Sequence, residues 1–303
     1  MANLKEVRNR ITSVSSTQQI TSAMKMVSAS KLRRAQDAIQ RMRPYASKLK
    51  EILQNLSASL DSSSGGGFSK EREIKNVLFV VINSNRGLCG AFNSNTIKLT
   101  NNLINEKYSH LKSTGGIHIL TIGKKATDYF KKSACTLASS HNEVYDNLKF
   151  ETVAPIAEKI MADFSAGKYD RVEVIYNQFK NAAVQIVTSE QFLPTAPPAP
   201  KGGISGDGKN PQSGGGAVDY IFEPSKEEIV ADLIPKSLKI QLYKAVLDSN
   251  ASEHGARMTS MHKATDNAKE LLKALKLSYN KARQAAITNE ILEIGGGAAA
   301  LEG

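Results

Sequence analysis

The fold is decided by residues 235–294, which read PKSLKIQLYKAVLDSNASEHGARMTSMHKATDNAKELLKALKLSYNKARQAAITNEILEI. Two sets of mostly apolar or small residues recur every seventh position: Leu247, His254, Met261, Ala268, Leu275 and Ala282, and Ala251, Met258, Thr265, Leu272, Tyr279 and Ala286. This sustained heptad predicts one coiled-coil helix about 90 Å long, given the helical rise of about 1.5 Å per residue. Pro235 is typical of a first helical turn and the glycines at 295–297 of a helix end, so we expect the helix between them.

Residues 1–60 repeat the pattern and offer a partner for this helix. The corresponding sets are Leu4, Ile11, Gln18, Lys25, Leu32, Ile39, Ala46, Leu53 and Leu60, and Val7, Val14, Thr21, Ser28, Ala35, Met42, Leu49 and Leu56. Because a heptad stripe must be covered, we expect the two ends of the chain to wind together as an antiparallel, left-handed coiled coil. Pro44 removes one helical hydrogen-bond donor and predicts a kink, since the heptads continue on both sides of it.

The N-terminal stripe becomes polar over residues 18–28. The apolar residues of this stretch, Ile20, Met24 and Val27, fall on a neighbouring face. Either the stretch faces something other than the partner helix, or it is a tolerated irregularity of the heptad. We favour the first alternative.

The residues between the two helices have a different architecture. A Ser- and Gly-rich linker over 61–73 leads to an α/β domain over 74–225, and 226–303 then form the C-terminal helix. We predict strands at 74–83, 117–122, 171–176, 183–192 and 219–223, with 183–192 a candidate for the sheet edge, and helices at 93–111, 124–132 and 152–166. The alternation predicts a small, largely parallel, Rossmann-like sheet. Residues 194–217, rich in Pro and Gly, predict a flexible surface loop within it.

The net charge of +11 lies on the predicted helices. Residues 1–60 hold 11 Lys and Arg against 3 Asp and Glu, residues 61–234 hold 19 against 19, and residues 235–303 hold 10 against 7. A basic rod favours an acidic partner, which could be nucleic acid, anionic lipid or a protein surface. Tyr45 is the only aromatic residue of the first helix, which disfavours base stacking. No apolar run is as long as the roughly 18 to 20 residues that a membrane-spanning helix needs. The heptad pattern begins at Leu4, so we expect no signal peptide.

The search for chemistry finds no catalytic constellation. Residues 85–90, Asn-Arg-Gly-Leu-Cys-Gly, follow the first predicted strand but lack the spacing of a dinucleotide site or a P-loop, so a glycine-dependent turn is favoured. Cys89 lies beside Arg86, yet no nearby residue supplies a base. The two cysteines and five histidines show no metal spacing, and His254 is predicted to pack in the seam. We therefore expect no catalytic residues, no metal and no cofactor.

Three stretches resemble a known family. Residues 20–32, ITSAMKMVSASKL, residues 86–90, RGLCG, and residues 278–290, SYNKARQAAITNE, are similar to the gamma subunit of proton-translocating F-type ATP synthases of the bacterial type. The resemblance covers the chain apart from 194–217, and the plant-type insertion with a regulatory cysteine pair is absent. It implies a non-catalytic rotor shaft inside a ring of three alpha and three beta subunits. The α/β domain would then lie near the c ring, at the cytoplasmic face of the inner membrane.

The resemblance also implies contact residues. Those facing the alpha and beta subunits would be Met24, Lys25, Arg257, Arg283, Gln284 and Thr288, and those facing the epsilon subunit and the c ring would be Tyr220 and Glu223. Three residues depart from the family pattern: Asn85 replaces the usual Asp, Gly255 the usual Ala, and Gly295 a β-branched residue. Two alternatives remain, a basic coiled coil that binds nucleic acid and an α/β enzyme that uses the middle domain for a nucleotide.

Overall fold

The computed structural model describes residues 4–58, 68, 71–133, 135–195 and 226–302. Its helices are α1 (Leu4–Ala58), α2 (Phe92–Lys107), α3 (Lys124–Phe130), α4 (Phe150–Ser165) and α5 (Lys226–Glu302), and its strands are β1 (Val77–Ile82), β2 (Ile117–Ile122), β3 (Thr136–Ser140), β4 (Arg171–Phe179) and β5 (Gln185–Leu193). Short 3₁₀ turns cover Ser109–Leu111 and Glu143–Tyr145. Within this described part, no helix has the length and apolar character needed to cross a membrane.

Helices α1 and α5 pack against each other along most of α1. Thr265 Oγ1 lies 2.9 Å from Thr21 Oγ1, and Lys25 Nζ lies 3.4 Å from His262 Nδ1, so the sequence numbers run in opposite directions. Further along, an apolar cluster joins the two helices and one strand through Leu32, Ala35, Ile39, Phe179, Leu247 and Ala251. The predicted antiparallel coiled coil of the two ends is confirmed.

The helix ends predicted from Pro235 and from the glycines at 295–297 were wrong, whereas the bounds 226–303 predicted for the C-terminal helix agree with α5. Pro235 lies inside α5, which already begins at Lys226, and the glycines at 295–297 lie inside it as well. A proline removes one backbone donor without preventing the turns on either side, as Pro44 also shows within α1. A glycine ends a helix when it adopts a positive φ, and none of these three does so.

The α/β domain, called the head from here on, is built on a five-stranded sheet in the order β3-β2-β1-β4-β5. β1 is parallel to both β2 and β4, whereas β5 is an antiparallel edge strand beside β4. All six residues of β1 are buried, as its continuous apolar sequence predicts. The Rossmann-like sheet and the edge strand after residue 183 are therefore confirmed.

Both faces of the sheet are covered, but by different partners. Val77, Phe79 and Val81 of β1 face a cluster that includes residues of α2 and α3. Leu78, Val80 and Ile82 pack in a cluster with residues of α4 and α5, which include Phe164, Leu242 and Val246. Because α5 supplies one layer of the head's core, the head and the long helix form a single packed structure.

Several details of the head differ from the sequence predictions. β3 was not predicted, because its sequence TLASS alternates partly buried and exposed residues without β-branched apolar ones. α2 ends at Lys107 and the chain continues as a 3₁₀ turn, and β4 extends to Phe179. Most of the predicted linker, the loop over 194–217 beyond Thr195 and the predicted strand at 219–223 lie outside the described residues.

Candidate functional site

Residues 252–260 of α5, which we call the joint, bind the head at the carboxyl ends of its strands. Ser252 Oγ donates to the carbonyl oxygen of Asn177 at 3.0 Å, and Thr259 Oγ1 donates to that of Ala182 at 3.2 Å. A Cβ atom added to Gly255 would lie 3.0 Å from the same Ala182 oxygen. In doubly wound sheets the ligand crevice lies at this edge, where the strand order reverses, here between β1 and β4. The joint lies across that edge.

The turn at residues 85–90 follows β1 and depends on glycine, as predicted. Gly90 has a φ of 60° and Leu88 a φ of 62°, a left-handed conformation that glycine adopts without steric cost. The carbonyl oxygens of Arg86 and Gly87 point towards α5, where they accept hydrogen bonds from Arg257. A phosphate cradle needs backbone N–H groups aimed at the ligand, so this turn is not built as one.

Asn85, one of the departures from the family pattern, uses both ends of its amide. Its Nδ2 donates to the carbonyl oxygen of Asn142 at 2.7 Å, and its Oδ1 accepts from the backbone N–H of Lys124 at 2.9 Å. An aspartate could accept the second bond but could not donate the first. The asparagine therefore ties the turn after β1 to the start of α3 and to the loop after β3.

The reactive side chains near the turn are shielded. Cys89 is 2% exposed, and burial raises the pKa of its thiol, which disfavours the nucleophilic thiolate. His254 is packed at the seam, where burial, together with the nearby charges of Arg257 and Lys31, lowers its pKa to about 4. Over the described ranges, no group of three His, Cys, Asp or Glu side chains converges in a way that could hold a metal ion.

Arg257, a predicted ring contact, lies inside the joint and is only 8% exposed. Its Nη2 lies 2.8 Å from Glu253 Oε1, one helical turn away, and both side chains are 9% exposed. Burial raises the pKa of the Glu253 carboxyl, and the positive charge of Arg257 opposes that rise.

The polar stretch of α1 differs in part from its prediction. Thr21 and Ser28 are buried against α5, so the seam continues to face the partner helix there. Ile20 and Val27 are 59% and 57% exposed, which agrees with an apolar face turned away from α5. Polar residues can occupy the seam because the Thr265 hydroxyl donates to that of Thr21, which in turn donates to the Gln18 carbonyl oxygen.

Two of the predicted contacts, Met24 and Lys25, lie on this stretch and are half-buried. Lys25 leans across the seam towards His262, whose Nδ1 is also 3.3 Å from Asp266 Oδ2. Exposed Met26 lies next to them. This part of α1 therefore presents apolar side chains beside a lysine on the surface of the rod.

Arg283, Gln284 and Thr288 lie on a part of α5 that has no partner in the described chain. The antiparallel register that pairs Thr21 with Thr265 brings Leu4 opposite about Ala282, so α5 extends past the first described residue of α1. We call residues 283–298 the tip, and every side chain in it is exposed. Thr288 Oγ1 donates to the Gln284 carbonyl oxygen at 2.9 Å.

The tip also exposes large apolar side chains that the sequence reading did not single out. They are Ile287, Ile291, Leu292 and Ile294, between 48% and 71% exposed. Contiguous exposed apolar residues mark interaction surfaces. Extending the Thr21–Thr265 register along both helices shows that these residues lie beyond Leu4, the first described residue of α1.

The predicted contact residues do not form one compact site. Arg257 and Arg283 are separated along α5 by roughly 40 Å at the helical rise, and Lys25 lies between them along the rod. Tyr220 and Glu223 lie outside the described residues. The candidate surface is therefore a set of contacts spread along the rod.

Comparison with known proteins gives this rod a family. The ATP synthase family model matches residues 3–301. The ATP synthase gamma chain of Flavobacterium psychrophilum is 63% identical over 303 residues, covering 100% of both chains. A solved chain from the central stalk and c ring of the Tetrahymena thermophila mitochondrial ATP synthase is 25% identical, with a TM-score of 0.56 and coverage of 81% of this chain and 99% of that chain.

A second solved structure is similar over a larger share of the fold. A chain from the Euglena gracilis mitochondrial ATP synthase is 21% identical, with a TM-score of 0.65, and the match covers 98% of this chain and 94% of that one. At this identity the likeness concerns the fold alone, and it includes the combination of head and long helices. Together with the full-length match to bacterial relatives, these findings establish that the chain belongs to the ATP synthase gamma chain family.

Proposed function

We propose that this chain is the central-stalk rotor subunit of a bacterial F-type ATP synthase. In that role it couples ion-driven rotation of a c ring to ATP synthesis or hydrolysis at the beta subunits. The observation that carries the proposal is the tip, where α5 continues past α1 with exposed apolar and hydrogen-bonding side chains. A helix that exposes apolar side chains in this way is suited to burial inside an assembly of partner subunits.

The shape of the rod supplies a mechanism. Two unequal helices have no threefold symmetry, so a ring of three alpha and three beta subunits cannot contact them equally on all sides. Each catalytic subunit is then biased towards a different conformation and a different nucleotide affinity, because differential contacts shift conformational equilibria. Rotation of the rod passes each bias to the next subunit in turn.

We assign the ring contacts to Met24 and Lys25 on α1 and to Arg283, Gln284 and Thr288 on α5. These residues are half-buried or exposed in the chain, so they can meet a partner. Arg257 belonged to the same predicted set, but its burial in the joint supports a role within the chain.

The opposite end of the rod would meet the membrane part of the complex. We assign contact with the epsilon subunit and the c ring to Tyr220 and Glu223, and we place the chain at the cytoplasmic face of the inner membrane through those partners. A cysteine introduced at position 220 should crosslink to the epsilon or c subunits in the intact complex. Crosslinks to the upper part of beta would contradict this orientation.

We further propose that the chain has no catalytic activity of its own. The test is to purify the full chain alone and together with alpha and beta subunits, and to measure ATP hydrolysis by each preparation. The expected result is turnover by the complex and none by the chain alone. Turnover by the chain, with alpha and beta absent by mass spectrometry, would overturn the non-catalytic assignment, and failure to join any alpha–beta complex would overturn the rotor assignment.

A further inference from the structure

The side chain of Arg257 joins α5 to the head through several bonds at once. Its Nε and Nη2 both donate to the carbonyl oxygen of Gly87 at 3.2 Å, and Nη2 also donates to that of Arg86 at 3.2 Å. Its Nη1 lies 3.3 Å from His254 Nδ1, and Nη2 lies 2.8 Å from Glu253. Nη2 has two N–H groups for three acceptors, so at least one of its hydrogens is shared between two of them. The planar fork of a guanidinium directs donors to several acceptors at once, which a lysine ammonium does not.

The acceptors belong to a strained turn that the rest of the head holds in place only in part. Leu88 has a positive φ, which is unfavourable for a residue other than glycine, Asn or Asp. Ser84 Oγ donates to the Arg86 carbonyl oxygen at 2.6 Å from within the head. The Gly87 carbonyl oxygen is described with no donor other than Arg257. Arg257 thus fixes the turn on α5.

The charge of Arg257 is balanced inside the joint. Glu253 is buried and adjacent, and a buried carboxylate without a cationic partner is costly, so each residue needs the other. His254 is neutral near pH 7 because its pKa is lowered to about 4, chiefly by burial, and its Nδ1 can therefore accept from Nη1. This arrangement gives each of the three guanidinium nitrogens at least one acceptor.

The joint resists a twist of α5 relative to the head, in addition to the core packing of Leu242 and Val246. It reaches the end of β4 through Ser252, the β4–β5 turn through Thr259, and the β1–α2 turn through Arg257. Of these three connections, that of Arg257 is the one made by a charged side chain with several bonds. Hydrogen bonds of a charged donor are stronger and more directional than those of a hydroxyl.

We propose that Arg257 is a positioning residue of the rotor: it locks the β1–α2 turn of the head onto α5, so that torque passes between the head and the upper rod without slippage. The inference rests on the proposed rotor function. It differs from a direct ring contact, because Arg257 acts here through the head of its own chain.

The test compares two ways of removing this connection with a matched control. Glu253→Gln with Arg257→Gln removes both buried charges together, so the double variant avoids an unpaired carboxylate, and Arg257→Lys retains the charge without the fork. The control is Lys239→Gln, which breaks a more exposed ion pair between α5 and Glu158 of α4 at 2.6 Å. Each variant is placed in the whole membrane complex, and two quantities are measured. One is the number of ions pumped per ATP hydrolysed, and the other is the rate of hydrogen exchange at the amides of residues 85–91.

We expect the double variant to raise exchange at the turn by roughly tenfold or more, because local opening then meets less resistance. Ion pumping per ATP should fall severalfold in the double variant and less in Arg257→Lys, while Lys239→Gln keeps both readouts at the unaltered level. Faster exchange with undiminished pumping per ATP would overturn the proposal, since Arg257 would then be a local structural residue. Unchanged exchange would overturn it as well. Absence of pumping by the complex with the unaltered chain would instead contradict the rotor function itself.

Discussion

Helix α5 contains two parts that differ in their exposure to solvent. We call residues 238–261 the head-bound part and compare it with the tip, residues 283–298. None of the side chains in the head-bound part is exposed, and every side chain in the tip is exposed. Both carry a mixture of apolar, polar and charged residues. The difference shows that contacts within the chain bury the side chains of the head-bound part, whereas the side chains of the tip are accessible to another chain.

The two parts are also stabilised differently. Isolated helices are marginal in water, and most helical stability in proteins comes from packing an apolar face. The head-bound part has this packing, since Leu242 and Val246 complete the core of the sheet. The tip lacks it among the described residues, so substitutions there should affect partners more than folding. Similar substitutions in the two parts should therefore change the free energy of unfolding by different amounts.

The largest effect is expected for Leu242→Ala. Leu242 is fully buried in the cluster between the sheet and α5, and truncation leaves a cavity there. We expect the free energy of unfolding to fall by about 2–5 kcal/mol, as for buried leucines in general. Urea unfolding of the full chain, followed by circular dichroism, measures this change.

Leu292→Ala is the matched control, because Leu292 is 66% exposed in the tip. Its unfolding free energy should remain within about 0.5 kcal/mol of the unaltered chain. Equal losses for the two leucines would show that the tip is packed in the isolated chain, and the contrast between the two parts would be lost.

The next largest effect is expected for Asp248→Asn, and it should depend on pH. Asp248 is 3% exposed, and burial raises its pKa from 3.8 to about 6, although Lys244 and Arg43 oppose the rise. The folded state therefore holds the proton more tightly than the unfolded state, and the chain loses stability as pH rises from about 4 through 6. Asparagine has no charge to bury, so this variant should be more stable than the unaltered chain at pH 8 by roughly 1–3 kcal/mol.

Unfolding measured at pH 8, 6 and 4.5 tests this sign. The advantage of Asp248→Asn should be greatest at pH 8 and should shrink as the pH falls. Glu293→Gln, a matched change at an exposed site in the tip, should alter stability by less than about 0.5 kcal/mol at each pH. A stability advantage of Asp248→Asn that grew on acidification would contradict the assignment.

A smaller effect is expected when alanine replaces glycine in each part. A Cβ at Gly255 would lie 3.0 Å from the Ala182 carbonyl oxygen, whereas a Cβ at Gly295 would meet no atom within 4 Å. Alanine favours a helix over glycine by about 1 kcal/mol, so Gly295→Ala should slow hydrogen exchange in the tip. At Gly255 the tight contact should cancel most of that gain. An equal gain in helix stability at both sites would mean that the backbone at Ala182 moves away from the added methyl group at little cost.

The sequence predicted those features whose signals extend over many residues. The heptads of both ends predicted the coiled coil, and the uninterrupted apolar run before Asn83 predicted a strand buried on both faces. Such periodic patterns combine the weak structural preferences of many residues. Pro235 and the glycines at 295–297 predicted the wrong helix ends. Each of these residues has only a local preference against the helix, and the helix-forming residues around it outweigh that preference.

The candidate site was harder to predict than the fold. Arg257 and Arg283 are both arginines on one predicted helix, and sequence gives no measure of their burial. Their difference arises because residues 86 and 87, distant in sequence, accept hydrogen bonds from Arg257. Buried polar contacts between distant segments leave no periodic pattern, so the structure was needed to separate a residue of the joint from a residue of the tip.

The smallest effect on unfolding is expected for Arg283→Ala combined with Gln284→Ala. Both residues are exposed in the tip, and Gln284 and Thr288 share one face of the helix, since they are four residues apart. Their removal should change the unfolding free energy by less than about 0.5 kcal/mol. The helix content of the isolated chain should likewise remain unchanged by circular dichroism.

The same double variant should impair the complex. Arginine offers a planar fork of donors suited to carboxylates, and glutamine can both donate and accept, so together they can hold a loop of one beta subunit. Hydrogen bonds to charged groups contribute about 1.5–3 kcal/mol each, enough to alter the preference for one rotor angle over another. We therefore expect weaker assembly with alpha and beta, or severalfold slower steady-state ATP hydrolysis by the assembled complex. Lys131→Ala with Lys132→Ala, an exposed pair in the head, should leave both at the unaltered level. If the tip variant assembled normally and turned over ATP at the same rate as this control, Arg283 and Gln284 would be ordinary solvated residues, and the apolar side chains of the tip alone would have to account for binding to the ring.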